Sequence, residues 1–145
     1  MKFSGLAVAL LTGTLYATPL AAQTSPDTPQ RLELYSTFIS ANEMVAALSL
    51  FCPKNHPGNY NDTPYGATGA LEKLRPLARP DEFTVLDTYV RSDAYAADKL
   101  YIHGMVRKSL DNIRTSEAPA AACSTLSATI LNNYEAVKGT VQGLR

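Results

Sequence analysis

The sequence predicts an all-α protein: a small up-and-down helical bundle of three long helices and one short one, tied by one disulfide. Three observations predict it. Apolar residues recur at steps of three and four along three long stretches, and no stretch alternates apolar and polar residues as a strand does. The chain also carries just two cysteines, Cys52 and Cys123, at the end of one such stretch and near the start of another.

The first helix is expected from about Pro29 to Cys52. Leu34, Phe38, Ala41, Val45, Leu48 and Cys52 fall on one helical stripe, no Gly or Pro interrupts the run after Arg31, and Pro53 stops it. The segment from Pro53 to Gly66 holds three prolines, two glycines and three asparagines and reads as a loop. A short second helix follows from Gly69 to Arg75, with Thr63 or Thr68 as its cap. Pro80-Asp81-Glu82 opens the third helix, because proline suits a first turn and the acids complement the helix dipole. Its expected stripe is Phe83, Leu86, Val90, Ala94, Ala97, Tyr101 and Met105, continuing to Leu110 and Ile113. That length exceeds the usual range, so a bend is expected near Arg91-Ser92-Asp93 or at Gly104. The last helix, with Ser116 as the expected N-cap, carries Cys123, Leu126, Ile130, Tyr134, Val137 and Val141.

Ahead of these elements, residues 1–22 read as a signal peptide. Lys2 begins it, an apolar stretch runs from Gly5 to Tyr16, and Pro19-Leu-Ala-Ala22 supplies small residues at a cleavage point. The apolar stretch is shorter than the roughly 20 residues that span a bilayer. Residues 23–30 read as a flexible leader and 31–145 as a single helical domain. The expected location is therefore outside the cytoplasm, periplasmic rather than extracellular, with no stable membrane insertion after signal removal.

Thirteen Lys+Arg balance thirteen Asp+Glu, so no charge excess points to nucleic acid. In an exported chain, two cysteines most simply form one disulfide. If the first and last helices run antiparallel, Cys52 and Cys123 meet. No Cys-x-x-Cys, His-Glu-x-x-His, Gly-x-Ser-x-Gly or phosphate-loop spacing occurs. No catalytic residue, metal or cofactor is expected, and the chain does not read as an enzyme.

What remains is a binding surface. The loop offers Asn55, His56, Tyr60, Asp62 and Tyr65, and tyrosine with asparagine and glycine is the composition of many protein-binding loops. Lys99, His103 and Arg107 line up at four-residue spacing as a basic row. His103 lies about 200° round the helix from Tyr101, so a solvated face is expected there. The expected function is an exported, non-catalytic protein that binds another envelope or secreted protein, of inhibitor, immunity or accessory type. Alternatives are a periplasmic stress chaperone and a small-ligand carrier with a pocket between helices, near Tyr89, Tyr95, Tyr101 or Tyr134.

Overall fold

A computed structural model describes residues 27–55 and 64–144. Among these residues the protein is all-helical, with five α-helices and one disulfide. The signal-peptide reading and the first half of the leader, residues 23–26, lie outside the described residues. So do His56, Tyr60 and Asp62.

Helix α1 spans Thr28–Phe51. Asp27 caps it by accepting from the Gln30 N–H at 3.1 Å, so the last three residues assigned to the leader already belong to the helix. The expected stripe faces inward: Phe38, Ala41, Val45, Leu48 and Cys52 are buried and Leu34 is partly so. By length and composition α1 is apolar enough to cross a membrane, but half of that apolar window is buried against the other helices. A 3-10 turn, Pro53–Asn55, follows.

Helix α2 spans Gly66–Leu74, starting three residues earlier than expected, so Thr68 lies inside it; Tyr65 is the N-cap residue and supplies no side-chain bond, and Thr63 lies outside the described residues. The start is set instead by Gly66, whose φ of +86° only glycine adopts easily, and by Gly69, where a Cβ would stand 1.6 Å from the Pro64 carbonyl.

The expected third long helix is two. Helix α3 spans Pro80–Val90 and helix α4 spans Asp93–Arg114. The break falls at Arg91-Ser92, the first of the two bend sites the sequence offers. Ser92 caps α4 by accepting from the Tyr95 N–H at 3.2 Å. Three long helices and two short ones therefore replace the expected three and one.

The break also resets the helical phase. Ala94, Ala97 and Tyr101, expected in the core, are exposed, and Met105 is half-buried. Tyr95, Ile102 and Val106 are buried in their place, while Leu110 is buried as expected.

Helix α5 spans Pro119–Gln142. Ala118, not Ser116, occupies its N-cap position, and the Ser116 hydroxyl donates to the Ile113 carbonyl at the end of α4. Its expected stripe is buried except for the half-buried Val137.

Two ties fix α1 against α5. Cys52 and Cys123 form the disulfide, with Cα atoms 5.7 Å apart. At the other end Arg31 Nη1 donates to the Leu144 carbonyl at 2.9 Å. The end of each helix meets the start of the other, so the two run antiparallel.

Arg31 is also the centre of a buried polar clamp. Its Nε donates to Glu82 Oε1 at 2.7 Å and its Nη2 to the Tyr35 hydroxyl at 2.6 Å. Glu82 accepts in addition from the Arg79 N–H at 2.8 Å. Burial drives the Glu82 carboxyl upward, but the Arg31 hydrogen bond and the Arg79 N–H outweigh it and hold the group below the usual carboxylate range.

Candidate functional site

A second buried carboxylate, Glu43 of α1, organises the opposite stretch of the molecule. It is 1% exposed. The Tyr95 hydroxyl donates to its Oε2 at 2.5 Å, and the His103 Nε2–H donates to its Oε1 at 2.6 Å. Lys99 Nζ approaches the same Oε1 to 3.8 Å from the solvent side, with half its side chain exposed. Gly66, opening α2, closes the other side: a Cβ there would stand 3.3 Å from Oε2.

Sequence spacing explains the convergence. Tyr95, Lys99 and His103 step by four along α4 and so share one face. Once the break at Arg91-Ser92 rotates α4, that face turns toward α1.

The expected basic row is therefore divided. Lys99 and His103 meet at Glu43, His103 half-buried rather than solvated, whereas Arg107 is exposed and makes no contact with Glu43. Tyr95 is ringed by Tyr89, edge-on at 5.5 Å, and the Tyr89 hydroxyl donates to Asp98 at 2.6 Å. Burial, then the bond to Glu43, raises the Tyr95 phenol well above its ordinary value; burial and Asp98 push Tyr89 up to about 12. Both phenols stay protonated and donate across the neutral range.

The described ends of the loop are held at separate places. Asn55 Nδ2 donates to Ser124 Oγ at 3.0 Å, beside the disulfide. Tyr65 packs edge-on against Tyr134 at 5.6 Å, with Lys73 Nζ 4.3 Å from the Tyr65 ring centre. Lys73 also donates to Asn42 Oδ1 at 2.8 Å. Desolvation by burial, with Lys138 nearby, lowers the Lys73 ammonium to about 8.

Between α4 and α5 lies an open groove of about 400 Å³. Met44, Met105, Val106, Leu126 and Ile130 give it an apolar floor, and Ser109, Thr129 and Asn133 give it polar lining atoms. Met44 packs against the core as it lines this groove, and Met105, expected on the core stripe, is half-buried in its wall. The signal was present, because the β-branched and leucine positions Ile102, Val106 and Leu110 already mark a core stripe that leaves Met105 to one side.

Chemically, the Glu43 cluster positions groups more than it offers them. Both carboxylate oxygens are engaged, and His103 Nε2 is committed to one of them. Among the described residues no three His, Cys, Asp or Glu side chains converge to hold a metal ion. Compared with protein-family models, curated proteins and solved structures, the chain matches none.

Proposed function

We propose that the mature chain is an exported, non-catalytic protein that works by binding another protein of the cell envelope, which seats apolar side chains in the α4–α5 groove. The groove carries this reading. Methionine is unbranched and polarisable, so a floor with Met44 and Met105 adapts to an inserted side chain at little cost. The surrounding hydroxyl and amide groups suit a partner's backbone.

Export is supported by the disulfide and by the apolar leader read from residues 1–22. Periplasmic residence is the reading we favour over release to the medium.

The test is capture of a partner from envelope extract by the mature oxidised protein carrying a photo-crosslinker at Met105. Cross-linking is expected at Met105 and not at Glu135, and Met105→Lys is expected to abolish capture while helical circular dichroism is unchanged. Unaltered capture by that variant removes the groove from the mechanism.

A small-ligand carrier is the second reading, because about 400 Å³ lies within the range of small-molecule sites. Native mass spectrometry of protein purified from its own envelope separates the two: a bound non-protein mass lost in Met105→Lys favours the carrier.

A further inference from the structure

The phase shift of α4 leaves an apolar stripe in solvent. Leu100 is 76% exposed and Tyr101 67%, and Ala97 and Gly104 beside them are exposed as well. Gly104 sits in the middle of a 22-residue helix, where glycine is a poor choice. Among the described residues nothing beyond its own helix backbone and chain neighbours lies within 4 Å of the Cβ it lacks, so the described packing gives no reason for it. Two charges flank the stripe, Asp93 in the first turn and Lys108 four turns later. Among the described residues neither is in an ion pair, whereas Asp111, a turn beyond Lys108, lies 3.8 Å from its own Arg114.

We propose that this face is a twofold homodimer seam, in which α4 packs antiparallel against α4 of a second copy. On an ideal helix the six residues lie within about 50° of one line along the surface. They are also symmetric about the point between Leu100 and Tyr101. A twofold axis there places Asp93 opposite Lys108 of the partner copy, Ala97 opposite Gly104, and Leu100 opposite Tyr101. Such a self-complementary patch is what an isologous contact requires.

Each rung has a physical role. The Ala97–Gly104 rungs, one on each side of the axis, let the backbones approach closely, which is the use of a glycine with no neighbour in its own chain. The Leu100–Tyr101 pairs fill the centre. Charge sets the direction, because a parallel pair would stack Asp93 on Asp93 and Lys108 on Lys108. The groove lies on the Met105 side of α4 and stays open to another partner, so this inference does not depend on the function proposed above.

A single helix seam falls at the small end of specific interfaces, below roughly 1,200 Å² in total, so association is weak and concentration-dependent. The test is sedimentation equilibrium of the mature oxidised protein from micromolar to millimolar concentration. A reversible dimer is expected. Lys108→Asp and Asp93→Lys are each expected to weaken it at least about tenfold, since each sets like charges face to face, and the double variant D93K/K108D is expected to restore it. Tyr101→Asp is expected to leave the monomer fold intact, its ring being already in solvent, and to abolish the dimer. A monomer at every concentration, single variants without effect, or a double variant that fails to recover would each overturn the seam. An assembly that forms but ignores all three positions would assign self-association to another face.

Discussion

Glu82 and Glu43 are both 1% exposed, yet they are buried in opposite ways. Glu82 is held by a guanidinium, which stays charged at any ordinary pH, and by a backbone N–H. Glu43 is held by a phenol and an imidazole, with an ammonium reaching in from half-exposed Lys99. The first arrangement joins α1, α3 and the chain end at Leu144 into a fixed clamp. The second joins α1 to α4, and its closest partners are a hydroxyl and an imidazole rather than a guanidinium. The lesson is that buried carboxylates are classed by what holds them: Glu82 by a permanent charge at hydrogen-bond distance, Glu43 by hydroxyl and imidazole donors with the nearest lysine at 3.8 Å.

The largest effect should come from breaking the clamp. Arg31→Ala strands the Glu82 carboxylate and removes the Arg31 donor from the Leu144 carbonyl, and is expected to destabilise the protein by about 3–5 kcal/mol. Chemical denaturation reads this directly; a loss below about 1 kcal/mol would mean that the pair is solvated and the contrast with Glu43 false. The same clamp sets a pH limb. Because the folded Glu82 carboxyl lies below its unfolded value, its stabilisation is full above roughly pH 4.3 and is lost as pH falls through the depressed value. Denaturation midpoints taken downward from pH 5 should therefore fall more steeply in the wild type than in Glu82→Gln.

Next comes the Glu43 joint. Tyr95→Phe removes one hydroxyl donor from a buried carboxylate and is expected to cost about 1.5–3 kcal/mol. Lys99→Ala, which removes a longer and half-exposed contact, should cost no more than about 1 kcal/mol. Equal losses from the two would show that Glu43 is held by charge and not by the tyrosine.

How much of this was legible in the sequence depends on how local the signal is. The stripes of α1 and α5 and the disulfide between their ends follow from positions within single uninterrupted helices. Their spacing is set by the 3.6-residue turn alone. The stripe of α4 was misread from Ala94 to Tyr101 because a non-helical pair, Arg91-Ser92, shifts the helical phase, and a pattern carried over from α3 cannot register that turn. Ser92-Asp93 did contain the signal, being a good N-cap followed by a first-turn acid. The clamp and the Glu43 cluster were not legible. Arg31 and Glu82 stand 51 positions apart and Glu43 and His103 stand 60 apart, so nothing local marks either pair.

Lys73 extends the comparison to a cation and is the smallest effect we predict. Its partners are neutral: Asn42 Oδ1 at 2.8 Å, the Pro64 carbonyl at 3.4 Å, and the faces of Tyr65 and Tyr134. Dipoles and ring faces compensate an ammonium less well than a carboxylate would, so desolvation wins and the group falls to about 8. In the unfolded chain the same lysine titrates near 10.4. Between those two values the unfolded state binds more protons than the folded one, so stability should rise with pH across the window. Solvent screening at this partly open position keeps the gain below about 1 kcal/mol. Measured between pH 8 and 9.5, before tyrosines ionise in the unfolded chain, that upward slope should be present in the wild type and flattened in Lys73→Met. A slope unchanged by the substitution would show that Lys73 is solvated and that neutral partners suffice to keep it charged.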